Sequence, residues 1–491
     1  MATFVIGLLI LIAGAAVYGK ICENVIKPDD RKTPAFTKED GVDYVPMRTW
    51  RNSLINLLNI AGTGPILGPI QGILFGPIAF IIIPIGNILG GAMHDYFSGM
   101  LSLRNEGMQM PDLIKKYTNG TVFNIYNIFV CFLMLLVGAV FIYTPGDIAA
   151  TQVFGFSGAP KETSTWVIYA VIFVYYICAT MFPIDKLIGR VYPIFGAILL
   201  FSAVGIFACI FSGGYELTNL SWENWRGIHP VAGTRFIPVF FITVACGIVS
   251  GFHSTQTAII SRSVTSERQG RLTFYNMMVL EGFIAMIWAA AAMAVMNKGL
   301  ADPSTGPNSV VGIVAKDMLG NIGGVLAILG VIVLPVTSGD TALRSLRLMI
   351  ADYIHLDQRP VKNRLYICLP VFALVAAILA WAKFSPGGFT VLWRYFAWSN
   401  QTISLFAFGI ITIYLLGKGH KIAPFMSLLP GAWYAFITFS YICNAKIGLN
   451  IPMNISYGLG IAFALAYSVL VYIKGVRLYE AKTPLEAAAV Y

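Results

Sequence analysis

An all-α polytopic membrane protein is predicted from three observations on this 491-residue chain. First, 57% of residues are hydrophobic and only 11% are charged, against about 25% charged in an average soluble domain. A soluble protein of this size cannot cover its surface with so few charges. Second, thirteen apolar runs approach the roughly 20 residues that a spanning helix requires. Third, Lys and Arg fall asymmetrically between those runs, as the positive-inside rule demands. Together they exclude a soluble enzyme, a disordered chain and a nucleic-acid-binding module. The +10 net charge is then a matter of topology, with the lipid bilayer as surroundings and no nucleic acid as partner.

In order, the runs are 3–19, 54–75, 76–103, 121–143, 165–182, 190–212, 236–260, 274–296, 312–337, 364–383, 389–416, 422–444 and 455–473. The head of the first carries no positive side chain, so it reads as a retained helix rather than a signal peptide. With the N-terminus outside, all basic residues except Lys161, Arg226, Arg235, Lys298, Lys316, Lys383, Arg394 and Lys446 lie in cytoplasmic pieces, 25 of 33. The C-terminus is then cytoplasmic and the location the inner membrane. Arg394 is expected to snorkel to the outer interface. The longest loop, 20–53, reads as a cytoplasmic linker, and Glu480–Tyr491 as a short solvated tail. No Walker A motif is present, so the chain does not itself burn ATP. Seven scattered cysteines without a C-x-x-C pair read as small buried hydrophobes.

Two runs are poor continuous helices. Asn59-Ile60-Ala61-Gly62-Thr63-Gly64-Pro65-Ile66-Leu67-Gly68-Pro69 puts three glycines and two prolines near mid-membrane. Proline removes a backbone donor, and glycine lowers the cost of unwinding. Ala245-Cys246-Gly247-Ile248-Val249-Ser250-Gly251-Phe252-His253-Ser254-Thr255-Gln256 joins glycines to a high density of polar groups. Unwound backbone in hydrocarbon persists only beside protein or a wet cavity. Glycines at such spacing also serve close helix packing. Each broken run begins a set of five, 54–212 and 236–416, and the two sets run in opposite directions. Residues 1–53 precede them, and two further helices over 422–473 and a tail over 474–491 follow. This five-plus-five inverted repeat, LeuT-like, is the pattern of a secondary transporter.

The substrate contacts expected at the breaks are Asn59, Ala61, Gly62, Thr63, Gly64, Pro65, Gly247, Ser250, Gly251, Ser254 and Gln256, with half-helix amides receiving an anion. Ionisable groups inside the membrane are expensive and mark function. His94, Asp95, His253 and Glu281 are the candidates for proton coupling; Asp95, His253 and Glu281 fall about two helical turns from the assigned cytoplasmic ends. An equally ordinary use of such groups is to tie helices together. Without a His-x-x-x-His pair or a cysteine ligand nearby, no metal or other cofactor is expected; the coupling ion is H+ or Na+. Thr337, Ser338, Asp340 and Thr341 are candidates for a cation site, and Asp340 with Arg344 at i,i+4 equally suits an intrahelical pair.

The run 59–69, the stretch Gly91-Ala92-Met93-His94-Asp95 with Arg104, the run Ser250-Gly251-Phe252-His253-Ser254-Thr255-Gln256, Glu281-Gly282, and Thr337-Ser338-Gly339-Asp340-Thr341-Ala342-Leu343-Arg344 together resemble the carbon starvation protein A family. The resemblance covers about residues 50 to 350. It implies a multi-pass transporter of peptides or pyruvate, used under carbon limitation and related to the amino acid–polyamine–organocation superfamily. The expected function is therefore import of a small peptide, amino acid or pyruvate-like carboxylate by alternating access. A nutrient sensor of the same fold, a passive channel and a membrane enzyme are the competing readings, and only a transporter accumulates substrate against a gradient. Oligomeric state is not legible.

Overall fold

The computed structural model describes residues 1–41, 43–181 and 185–490. Among them the regular elements are all helical. In chain order they are α1 (Ala2–Ala16), α2 (Tyr18–Ile26), α3 (Pro34–Thr37), α4 (Thr49–Ile60), α5 (Gly64–Gly72), α6 (Ala79–Gly86), α7 (Met93–Arg104), α8 (Met110–Tyr117), α9 (Gly120–Ile148), α10 (Thr163–Met181), α11 (Asp185–Ser212), α12 (Phe236–Thr243), α13 (Gly251–Ser261), α14 (Met277–Asn297), α15 (Pro307–Tyr353), α16 (Val361–Phe384), α17 (Gly388–Gly417), α18 (Phe425–Asn444) and α19 (Met453–Glu480). Phe182, where the fifth apolar run was expected to end, lies outside the described residues. Among the described residues nine helices are long and apolar enough to cross a membrane, or ten with the bent pair α4–α5 taken as one span. The remaining expected runs are helical but interrupted or shorter in their apolar part.

Hydrogen bonds sort the loops onto two faces. Met47 N donates to Ser263 O at 3.2 Å and Ala487 N to Arg104 O at 3.1 Å. The start of α4, the ends of α7 and α13, and the C-terminal tail therefore share one face, the one expected to be cytoplasmic. On the other, the Met1 ammonium donates to Leu217 O at 2.9 Å and Lys298 pairs with Asp317 at 2.8 Å. Because α4 begins where α13 ends, the two broken spans are antiparallel.

The tail departs from its expected solvated state. Leu485 is buried, and its carbonyl accepts from Tyr117 Oη at 2.6 Å. Glu486 meets Lys418 at 2.7 Å, Tyr414 Oη at 2.6 Å, and Arg104 and Arg31 at 3.2 Å each. Arg104 also clamps Glu267 with two parallel bonds of 2.9 and 2.8 Å, the fork geometry that makes arginine–carboxylate pairs strong. A glutamate in a polar tail reads as solvated because the four groups awaiting it are remote in sequence.

Candidate functional site

The first break follows from its sequence. Helix α4 ends at Ile60, Ala61 leaves the helical region (φ −79°, ψ 71°), and α5 restarts at Gly64 with Pro65 in its first turn. Proline is favoured there because that N–H has no helical partner anyway. The two halves bend by 49°. In the second span α12 stops at Thr243, Gly247 takes φ +90°, which suits glycine, and α13 begins at Gly251.

The breaks pack on each other. A Cβ on Gly64 would lie 2.1 Å from Cys246 Sγ, and one on Gly68 would lie 3.0 Å from Thr243 O. Freed backbone groups find partners, as buried polar groups must. Asn87, within a widened π-type turn over Asn87–Ala92, donates to Gly247 O at 2.9 Å and Met278 O at 3.0 Å. Asn400 Oδ1 accepts from Phe252 N at 2.8 Å, and Asn400 Nδ2 lies 2.9 Å from Ser250 Oγ.

That arrangement revises one expectation. The N-terminus of α13 was expected to offer amides to an anion, yet Phe252 N is capped by Asn400 and His253 N bonds to Ser250 O at 3.1 Å. A Cβ on Gly251 would stand 2.3 Å from Asn400 O, so α17 fills the space. Ser254 Oγ donates back to Gly251 O at 2.7 Å, and Gln256 Nε2 reaches only its neighbour Thr255 at 3.0 Å. In the first break Ile66 N and Leu67 N bond to Thr63 O at 3.2 and 2.9 Å, and a Cβ on Gly62 would lie 2.7 Å from the Phe141 ring. Thr63, at the head of α5, is fully buried, and its hydroxyl has no hydrogen-bond partner. Asn59, Ala61, Gly62, Gly64 and Pro65 are buried around it.

The four titratable groups do meet. His94 Nδ1 and Asp95 Oδ1 are 2.8 Å apart, His253 Nδ1 and Asp95 Oδ2 are 3.0 Å apart, and His253 Nε2 faces Glu281 Oε1 at 3.7 Å. All four are 0% exposed. The Glu281 carboxylate lies against the Gly247 backbone of the unwound turn. His253 bridges two carboxylates through its two ring nitrogens, so a proton taken at one can be given up at the other. Cys246, read from sequence as a plain hydrophobe, joins this group: its sulfur, an imidazole nitrogen of His253 and an oxygen of Glu281 lie within 4.8 Å of one another. These are the described side chains whose chemistry suits a metal such as zinc.

The cation-site candidates are only partly gathered. Ser338 Oγ crosses to Leu58 O at 3.1 Å, next to the first break. Thr337 and Thr341 donate to their own helix, on Leu334 O and Thr337 O. Asp340 pairs with Arg344 at 3.5 Å, the intrahelical arrangement that its spacing allowed.

Asn87 is a functional residue that the sequence reading missed. An asparagine in an apolar run just before a Gly-Gly pair was the available signal. Above the breaks, a cavity of about 290 Å³ opens between α5, α12 and α17, from Thr243 up to the 303–307 loop.

Comparison with known proteins matches this architecture. The family model described as carbon starvation protein CstA matches residues 1–153, 146–318 and 304–441. The chain is 41% identical to an uncharacterized membrane protein of Haemophilus influenzae, over 60% of this chain and 91% of that one. It is 24% identical to the peptide transporter CstA of Helicobacter pylori, over 88% and 81% of the two chains. It is 25% identical to the pyruvate/proton symporter BtsT of Escherichia coli, over 61% of this chain and 49% of that protein. In structure it is similar to a variant of the Eremococcus coleocola manganese transporter (TM-score 0.59, 12% identity, 89% and 95% covered). It is also similar to MhsT in complex with L-phenylalanine (TM-score 0.57, 14% identity, 89% and 99% covered). The fold is thus the LeuT-like one of membrane transporters, the named relatives are transporters rather than enzymes, and the chain belongs to the carbon starvation protein CstA family.

Proposed function

We propose that this protein is a secondary active importer of small carboxylates, pyruvate-like acids or short peptides, driven by the proton gradient and working by alternating access. The observation that carries the reading is the buried line Glu281–His253–Asp95–His94, with steps of 3.7, 3.0 and 2.8 Å, set against the unwound turn of the second broken span. Protonation at this line changes the charge beside the backbone that must move, which is how a proton biases a two-state element. Thr63 and the start of α5 take the carboxylate, since a helix N-terminus favours an anion and the Thr63 hydroxyl is unspent. The five-plus-five inverted repeat, with the N-terminus outside and the C-terminus in the cytoplasm, belongs to the same reading, supported by the antiparallel broken spans and by the basic residues on the tail's face. The names of two relatives, a peptide transporter and a pyruvate/proton symporter, support the substrate class.

The test is uptake of labelled pyruvate, alanine and a dipeptide into proteoliposomes under separately imposed proton and sodium gradients. Accumulation above the external concentration with a proton gradient, and none with sodium alone, is the expected result. Accumulation driven by sodium alone refutes proton coupling. Equilibration without accumulation under either gradient refutes active transport.

A further inference from the structure

The cavity above the breaks has an unusual charge composition. Its wall mixes apolar residues such as Phe75, Phe389 and Trp393 with neutral polar ones such as Gln71, Thr243 and Thr390, and Arg394 is the one residue of full charge among the described residues lining it. Among the described residues no carboxylate and no second cation line it. Arg394 was expected merely to snorkel to the interface. It is exposed, as snorkelling requires, and it also lines the cavity, without any intrachain hydrogen bond or ion pair among the described residues, whereas the buried Arg104 and the half-buried Arg31 and Arg344 are all paired. Asp302, next to the lining loop 303–307, spends its Oδ1 on its own turn, accepting from Ser304 N at 2.7 Å and Thr305 N at 3.1 Å. His229 also lines the cavity, and burial holds its imidazole below the usual value, so it adds no charge at neutral pH.

We infer that this cavity is an entry subsite for the carboxylate group of the substrate, with the Arg394 guanidinium as its first charged contact before transfer to Thr63 and Gly64. An unpaired guanidinium presents a planar fork matched to a carboxylate. Low-dielectric walls of one sign of charge focus the field and raise the local concentration of an anion. The volume of about 290 Å³ sits at the lower end of the roughly 300–1,000 Å³ typical of small-molecule sites, which fits an organic acid or the C-terminus of a short peptide. Thr243, which lines the cavity, also lies against Gly68, one turn beyond Gly64 in α5, so the entry subsite borders the helix that begins at the binding break. Arg394 selects for anions and against cations, a role separate from the proton line.

The inference rests on the proposed transport of carboxylates, and the experiment separates the two. Initial uptake of labelled pyruvate is measured for wild type, Arg394→Gln, Arg394→Lys and Gln71→Glu at low and high ionic strength. Gln71→Glu adds a carboxylate to the α5 wall without changing shape. The expected result is a KM raised roughly 10-fold at low salt in Arg394→Gln and in Gln71→Glu, with maximal velocity kept. The Arg394→Lys variant recovers most of it, and the difference shrinks at high salt as the field is screened. An unchanged KM in both charge-altering variants overturns the subsite, and so does a loss of maximal velocity at constant KM. Failure of wild type to take up any carboxylate overturns the transport reading instead. Should Arg394→Gln not reach the membrane, Gln71→Glu alone decides.

Discussion

Adding a single methyl group at Gly64 tests whether the two breaks work as one site. In Gly64→Ala the new Cβ would lie 2.1 Å from Cys246 Sγ and 2.2 Å from Cys246 Cβ, with Cys246 Cα at 3.5 Å. Ordinary contact starts near 3.4 Å, so the spans must part by more than about 1 Å. Cys246 cannot rotate away, because its own Cβ is part of the clash. Overpacking of this kind costs about 1–3 kcal/mol. Gly64 sits at the junction of α4 and α5, so the strain falls on the geometry proposed to hold substrate. Initial uptake should fall roughly 10- to 100-fold, at about 1.4 kcal/mol per tenfold, while membrane insertion and yield stay within about twofold. Gly64→Leu, with three more carbons to place, should abolish uptake.

The decisive arm is a double-mutant cycle. Cys246→Gly removes both clashing atoms, so the pair Gly64→Ala with Cys246→Gly should recover at least tenfold over Gly64→Ala alone. Uptake is assayed in proteoliposomes against protein quantified in the same vesicles, with thermal unfolding in detergent as the control for folding. Wild-type uptake by Gly64→Ala would refute the reasoning outright. Loss of uptake without rescue would show that the methyl harms something other than the Gly64–Cys246 contact.

Three further outcomes follow from the same geometry. Glu281→Gln keeps the shape but removes the acid at the end of the histidine line, so uphill uptake should vanish while substrate exchange across the membrane continues; loss of both, or of neither, removes Glu281 from coupling. Asn400→Ala strips the cap from Phe252 N and leaves Ser250 short of a partner; a buried unpaired group costs about 1–3 kcal/mol, so the thermal midpoint should drop, and Asn400→Asp, which keeps the acceptor, should drop less. At the tail, burial alone would raise the Glu486 carboxyl, but hydrogen bonds from Lys418 and Tyr414 and the charges of Arg104 and Lys418 hold it down from 4.5 to about 2. A depressed carboxylate stabilises above its unfolded value and loses that stabilisation as pH falls towards its folded value. Docking of the tail should therefore be intact above pH 4.5 and weaken on going down towards pH 2, by roughly 3 kcal/mol in all; hydrogen-exchange protection of the Ala487 amide, which bonds Arg104 O, should follow that curve and flatten in Glu486→Gln.

The parts legible in the sequence were those written as local pattern. The runs of apolar residues, Gly62, Gly64 and Pro65 at one break, and Gly247 and Gly251 at the other each state their consequence within a few positions. His94, Asp95, His253 and Glu281 were singled out because an ionisable group in hydrocarbon is expensive wherever its partner lies. Their meeting was not legible, since it depends on α7, α13 and α14 converging. The same limit hid Asn87, and it hid the partner of Asn400, which stands out in sequence only as part of the polar run Asn400-Gln401-Thr402. Each satisfies backbone released by a span far away in the chain, and nothing near it in sequence records that debt. Cys246 misled for the opposite reason: its neighbours are apolar, while the unwinding at Gly247 turns its sulfur towards His253. The tail misled because a short polar segment is solvated unless a complementary surface exists, and that surface is assembled from Arg31, from Arg104, and from Tyr414 with Lys418, on three separate pieces of chain.

The distribution of paired charge bears on how such a protein changes state. On the face expected to be cytoplasmic, Arg104 is 6% exposed and Glu267 is 0% exposed, and together with Arg31, Glu486 and Lys418 they join α7, α17, the N-terminal linker and the tail. On the opposite side the cavity reaches down to Thr243 beside the breaks. On the transport reading, this is a form closed towards the cytoplasm and open outside. A dry ion pair is costly to separate into a low-dielectric space, because each ion left alone pays its desolvation. The same pair is cheap to separate into water, where exposed pairs are worth about 0–1 kcal/mol. An inner barrier built from Arg104, Glu267 and Glu486 therefore parts only as water follows, whereas the apolar packing around α5 and α14 gains nothing from wetting. On that reading, charge at the inner face and glycine at the breaks would divide the work: the glycines would let the spans hinge, and the ion pairs would keep the inner side shut until it floods.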